Sequence, residues 1–379
     1  MTVDEIRELA RWQPPLGVLS IYLRFEPGDR GLAWRTELRN GLARVLEADE
    51  QLDHGTRAAL RATAKRVAER FANHERDLPR GEVGFVEVAA EPGGRRWWAT
   101  HLSPRSATTA CFAARPVVAP LLWLAEHGGA RGVALVSAER VHLLEWSPGH
   151  LEELHRWELS LFSGGWREGK AQRVPDPARA QAVSASGRDQ FGERMADNRH
   201  RFLGECRGLA LQAGSARGWE RIIAFGPAQH VEAFRDRAGS TSPTLELGGE
   251  MDLISKPLGQ LEAPVTEAIG RLDAERGRQL AERALEEARG GVRGTAGPQE
   301  TSAALDEGRV ERLVLDAGLA AGAASAPVLR EEAPGRGGEA GAEALVKLAL
   351  ASGADVVTIS GEAAELLAPV DGVAALLRY

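Results

Sequence analysis

Side chains that do chemistry must come in sets, and this chain offers few such sets of nucleophiles or metal ligands. Its two cysteines, Cys111 and Cys206, fall in different predicted elements and supply neither a disulfide framework nor a zinc knuckle. The nine histidines show no His-x-x-x-His companion spacing, so metal catalysis has little support. A two-metal nuclease places carboxylates on the first strand of its sheet and on that strand's neighbours. The corresponding segment here, Val133-Ala-Leu-Val136, carries no acid, and Glu139 and Glu145 are the nearest candidates. The stretches Gly290-Gly-Val-Arg-Gly294 and Gly335-Arg-Gly-Gly-Glu339 lack the Gly-Lys-Ser/Thr ending of a phosphate loop and read as linkers. No cofactor and no metal is expected.

Cations are the stronger signal. Arg188, Arg194, Arg199, His200, Arg201 and Arg207 lie in or beside one predicted helix, which suits contact with RNA phosphates. Asp189, Glu193, Asp197 and Glu205 interleave with them, and pairs four apart such as Asp197 with Arg201 equally suit a solvated helix. Upstream, Ser163-Gly-Gly-Trp-Arg-Glu-Gly-Lys-Ala-Gln-Arg173 is glycine-rich, basic through Lys170 and Arg173, and carries an indole that can stack on a base. A hairpin end explains that composition as well. On its own, Gln190 reads as an exposed first-turn glutamine behind a cap at Ser186 or Asp189.

The elements that position these residues follow from periodicity. Residues 1 to about 116 open with a helix over Val3 to Trp12 and a strand over Gly17 to Phe25. Two amphipathic helices follow between Leu32 and Asn73, broken near His54-Gly55. Strands at Gly84 to Val88, Arg96 to Thr100 and around Cys111 complete an α+β domain, with Trp97, Trp98 and Trp123 assigned to packing. After Pro116 the pattern predicts a helix, then an antiparallel meander over Gly132 to Val136, Arg140 to Trp146 and Leu151 to Leu159. A loop from Ser160 to about Ser186 leads to a helix over Asp189 to Leu211. Strand and helix segments then run to a strand at Met251 to Ile254. A charged helix over Leu261 to Arg289 and a flexible turn over Gly290 to Gly297 precede a last unit of βα pattern. Within that unit, Ala320 to Gly341 reads as a surface loop or insertion.

With 379 residues the chain exceeds one ordinary core, so two or three domains are expected. It is 43% hydrophobic and 27% charged, without an apolar run near the roughly 20 residues that span a bilayer, so a soluble protein without membrane partners is expected. Met1-Thr-Val-Asp-Glu-Ile-Arg-Glu-Leu9 does not read as a secretory signal, which with the cysteine usage predicts a cytoplasmic location. The formal charge of −7 argues against indiscriminate coating of nucleic acid, but leaves room for one basic surface.

Three segments carry a family resemblance. Leu305-Asp-Glu-Gly-Arg-Val-Glu-Arg-Leu-Val-Leu315, Ala351-Ser-Gly-Ala-Asp-Val-Val-Thr-Ile359 and Pro369-Val-Asp-Gly-Val-Ala-Ala-Leu-Leu-Arg-Tyr379 resemble the third domain of the archaeo-eukaryotic class-one release factor and Pelota superfamily. Gly187-Arg-Asp-Gln-Phe-Gly-Glu-Arg-Met-Ala-Asp-Asn-Arg-His-Arg-Phe-Leu203 resembles the loop and helix of its middle domain. The resemblance implies an N-terminal α+β domain over 1–116 and a central ribonuclease-H-like α/β domain over 117–258. It also implies, over 259–379, a connecting helix with a C-terminal α-β-α sandwich similar to kink-turn-binding ribosomal proteins.

The implied function is a ribosome-associated factor that enters the A site and releases nascent peptide from stalled peptidyl-tRNA. The implied partners are ribosome and tRNA, with a translational GTPase at the C-terminal domain. Residue by residue, the family's catalytic loop falls on Gly187 and Gln190, and the basic set Arg188, Arg194, Arg199, His200, Arg201, Arg173 and Lys170 on RNA contact. The sequence departs from the pattern in having no Gly-Gly-Gln and no Asn-Ile-Lys-Ser loop. The Pelota-like branch, which occupies idle ribosomes without needing hydrolysis, is the alternative.

Overall fold

The computed structural model describes residues 1–25, 33–48, 52–72, 81–99, 107–159, 166–168, 185–235, 242–329 and 337–379. It divides into two compact units, Met1–Gly128 with Asp273–Tyr379, and Gly129–Leu272.

The first unit begins with α1 (Val3–Arg11), β1 (Val18–Arg24), α2 (Ala33–Glu47), α3 (His54–Ala72), β2 (Gly81–Glu87), β3 (Arg95–Ala99), β4 (Thr109–Ala113) and α4 (Ala119–His127). Helix α1 starts at a capping box in which Thr2 Oγ1 accepts from the Glu5 N–H and Glu5 Oε2 from the Thr2 N–H. β1 is central and buried on both sides. Leu19, Ile21 and Leu23 face the α2–α3 layer, whereas Val18 and Tyr22 face α1, α4 and the C-terminal helices. The tryptophans fill packing positions as expected, Trp97 edge-on to Phe71 and Trp98 edge-on to Phe85.

The second unit holds β5 (Arg131–Val136), β6 (Arg140–Ser147), β7 (His150–Leu159), β8 (Trp166–Glu168), α5 (Ala185–Arg217), β9 (Arg221–Phe225), α6 (Ala228–Arg235), β10 (Thr244–Gly249) and the first part of α7 (Glu262–Gly290). Its sheet order is β10-β9-β5-β6-β7-β8. The β5 to β8 run is antiparallel, and β9 and β10 lie parallel to β5. Three antiparallel strands flanked by parallel α/β strands are the predicted ribonuclease-H-like layout. The expected strand at Met251 to Ile254 is instead an irregular segment whose Leu253 and Ile254 are buried with Val265 and Ile269 of α7. Side-chain burial, which the apolar pattern reports, needs no ladder partner.

The first unit resumes with β11 (Gly294–Ala296), α8 (Pro298–Asp306), β12 (Val310–Asp316), α9 (Ala317–Gly322), β13 (Val328–Leu329), α10 (Glu339–Ser352), β14 (Asp355–Ile359), α11 (Glu362–Leu367) and β15 (Val373–Leu377). The sheet β11-β15-β12-β14 has α8, α9 and α10 on one face and α11 with the end of α7 on the other, an α-β-α sandwich. Two expectations are corrected. The flexible turn over Gly290 to Gly297 contains β11, which pairs with β15. The presumed loop over Ala320 to Gly341 contains the end of α9 and β13, and β13 joins the edge of the N-terminal sheet parallel to β4. In both cases the pairing partner is distant in sequence, so local composition carries no sign of it.

One buried polar cluster ties the first and last thirds of the chain together. Glu343, 1% exposed, accepts from the N–H groups of Val118 and Ala119 at 2.8 and 2.7 Å, where the helix dipole favours a carboxylate at the start of α4. Lys347 Nζ lies 3.1 Å from the same carboxylate. On the other side, Ser20 Oγ accepts from the Val117 N–H at 3.1 Å and the Tyr22 hydroxyl donates to the Val117 carbonyl. Burial, with the nearby Glu343 charge, raises the Tyr22 hydroxyl well above its ordinary pKa and keeps it a donor. Removing one partner of a buried bond leaves the other unsatisfied. Glu343→Ala is therefore expected to cost about 3 kcal/mol and to lower the urea midpoint of the first unit. Glu343→Gln should cost less, and equal midpoints for wild type and Glu343→Ala would refute the assignment.

Candidate functional site on helix α5

Helix α5 runs for 33 residues, about 50 Å at 1.5 Å per residue. It starts at Ala185, four residues before the expected Asp189, so the backbone of Gly187, Arg188 and Gln190 is helical and not a loop. The physical reason is permissive: no proline occurs between Pro177 and Pro227, and one glycine costs a helix only about 1 kcal/mol. Arg194 lies on the same helix. Lys170 and Arg173 lie outside the described residues.

The second half of α5 is anchored. Phe202, Leu203, Cys206 and Ala210 recur at helical spacing and are buried against Val141, Leu143 and Trp157 of the sheet. Burial pushes the Cys206 thiol far up, with Glu205 adding to the shift, so it is an inert core side chain and no nucleophile. The helix ends where Gly218 takes φ +70°, and the Trp219 N–H then bonds back to the Gly214 carbonyl at 2.9 Å. The Trp219 ring covers Gly132, where an added Cβ would come within 2.6 Å of it, so β5 needs a glycine there.

The basic set divides under this geometry. Arg199 reaches Glu139 in the β5–β6 turn at 2.9 Å, which commits much of its charge within the fold. His200 and Arg201 are exposed, and the Asp197–Arg201 spacing does not close into an ion pair among the described residues. His230 on α6 is lowered from its ordinary pKa by partial burial and then by the Arg199 charge, which keeps a second cation away from that corner.

The carboxylates considered for metal chemistry have other roles. Glu139 pairs with Arg199. Glu145 accepts from the Trp219 indole at 2.8 Å and lies 3.5 Å from Arg217, locking the end of α5 onto β6. No group of three or more His, Cys, Asp or Glu that could hold a metal is found among the described residues. No helix among them is long and apolar enough to cross a membrane.

One buried titratable group escaped the sequence reading. His142 on β6 is 4% exposed, its Nδ1 lies 3.7 Å from Glu153, and its Nε2 has no partner among the described residues. Its place between the apolar Val141 and Leu143 was its only signal in the sequence.

This sheet and helix define a ribonuclease-H-like domain whose nearby acids fasten its framework, a scaffold for presenting α5. Residues 116–289, a little under half of the chain, match the family model described as bacterial archaeo-eukaryotic release factor family 10. Solved structures similar to the chain include an archaeal translation termination factor, aRF1 (20% identity, 100% of this chain and 99% of that one, TM-score 0.26). Others are Archaeoglobus fulgidus Pelota (13%, 100% and 92%, TM-score 0.33) and archaeal Pelota in a model of its ribosome-bound form with ABCE1 (14%, 100% and 94%, TM-score 0.39). No curated protein matches the chain.

Burial, and then the Arg156 charge, lower the His142 pKa from 6.5 to about 4. The unfolded chain thus binds more protons between about pH 6.5 and 4, and stability falls as pH falls through that window. The size is roughly 3 kcal/mol at 1.36 kcal/mol per pKa unit. His142→Gln is expected to reduce the loss of urea midpoint between pH 7 and pH 4.5. An unchanged loss would show that His142 does not carry it.

Proposed function

We propose that this protein is a ribosome-associated translation factor that enters the A site and releases nascent peptide from stalled peptidyl-tRNA, presenting the N-terminal end of α5. The observation that carries this reading is the release-factor family segment over 116–289, which spans the whole sheet, α5 and the framework that fixes α5. On this reading Gly187 allows close approach of the backbone, and Gln190 orients water against the ester carbonyl. Arg188, Arg194, His200 and Arg201, with Lys170 and Arg173, contact RNA phosphates. Arg199 contributes mainly by holding the helix through Glu139. The division at 1–116, 117–258 and 259–379 is then functional, with the C-terminal sandwich as the place for a GTPase partner.

A second reading, occupancy of idle ribosomes without hydrolysis, is favoured by two specific observations. The chain contains no Gly-Gly-Gln, and Gly187 to Gln190 are wound into a helix. Purified stalled ribosome–nascent-chain complexes separate the two. The release reading expects peptide release above buffer for wild type and at least about a hundredfold loss for Gln190→Ala, the low end for losing a positioned catalytic group. Release no faster than buffer, with retained co-sedimentation on vacant ribosomes, would replace hydrolysis by occupancy. Failure to co-sediment at low salt would remove both.

A further inference from the structure

The cations of α3 do not behave like those of the other long charged helix outside the candidate site. Helix α7 carries five arginines among seven acids, and its charges pair in place, Arg271 with Glu267 at 2.9 Å and Arg278 with Glu275 and Glu282 at 2.9 and 2.7 Å. That is the pattern of a solvated helix. Helix α3 carries five cations, Arg57, Arg61, Lys65, Arg66 and Arg70, and one acid, Glu69.

Two of the five turn back onto the protein. Arg66 donates to the carbonyls of Ala89 and Ala90 at 2.7 and 3.0 Å. Arg70 pairs with Glu82 at 2.9 Å and lies 4.5 Å over the Trp97 ring. The other three recur at four-residue steps and so form one ridge along the flank of the helix, beside the buried face of Leu60, Ala64 and Val67. Arg57, half-buried, donates to the Leu52 carbonyl at 3.0 Å and sits at the start of the ridge. Arg61 is exposed and enters no ion pair among the described residues. Lys65 has only a loose 3.8 Å contact with Glu69, with both side chains more than half exposed, a geometry worth little.

We propose that the ridge Arg57–Arg61–Lys65 on α3 is a contact surface for RNA phosphates, a second one besides α5. The inference builds on the ribosome-associated reading above and locates an RNA-facing surface in the first unit. RNA is favoured over an acidic protein because no large apolar side chain of α3 is exposed, the residues beside the ridge being alanines such as Ala58 and Ala62. A protein interface needs an apolar core, whereas phosphate contact needs only placed cations. The C-terminal sandwich fits RNA less well, since residues 273–379 hold 11 Lys and Arg against 18 Asp and Glu.

The test compares wild type with Arg61→Glu/Lys65→Glu in the full chain, measuring co-sedimentation with vacant ribosomes and binding to a structured RNA hairpin across a salt series. Both positions are exposed, so the urea midpoint should stay at the wild-type value, and Arg61→Lys should bind as wild type does. The double variant is expected to bind at least about tenfold more weakly at low salt, with the slope of log affinity against log salt reduced by about 1.5 for two lost contacts. Wild-type affinity and slope in the double variant would overturn the ridge while leaving the ribosomal reading intact. If wild type ignored ribosomes yet lost hairpin binding on substitution, the ribosomal reading would fall and the ridge would stand. Binding to neither probe by wild type would overturn both.

Discussion

The constraint on which the first unit depends is a buried carboxylate with nowhere else to go. Glu343 sits on a helix of the last third of the chain, and its two oxygens accept from the first free N–H groups of α4, which follows the N-terminal sheet in sequence. Ser20 and Tyr22 hold the preceding residue from the other side. A helix start buried in this way would otherwise leave donors unsatisfied in an apolar seam. Because the bonds join residues more than 220 positions apart, N- and C-terminal elements share one core, and the second unit is an insertion in sequence between them.

The second unit solves a different problem, that of fixing one long helix through its second half. Phe202, Leu203, Cys206 and Ala210 provide the apolar anchor, Arg199–Glu139 fixes the middle, and Glu145 with Trp219 and Arg217 fixes the end. The acids that lie where a nuclease of this fold would keep its metal ligands are spent on these attachments. The sheet has a ribonuclease-H-like layout, and Glu139 and Glu145 serve as part of its frame.

Charge is distributed unevenly in a way the net value of −7 conceals. The acidic excess belongs to the C-terminal third, and the exposed cations Arg61, Lys65 and Arg201 of α3 and α5 lie outside it. Intramolecular partners decide which of those cations matter. Arg66, Arg70 and Arg199 are consumed by carbonyls, a carboxylate and an aromatic ring, and Arg61 and Arg201 are not.

Much of this was legible in the residues. Amphipathic period and strand alternation located most of the helices and strands, because those signals are local, and the family segments identified the superfamily whose family model matches residues 116–289. Locality also set the limit. Strands β11 and β13 exist only because distant strands β15 and β4 offer their edges, so a glycine turn and an Ala-Gly-rich loop were the local readings. Met251 to Ile254 had the burial of a strand without a partner to make it one. Sequence by itself determined which residues carry charge and which apolar faces must be hidden. Only the tertiary structure decided which carboxylates and guanidinium groups meet, since pairing depends on distances between segments that no local pattern encodes.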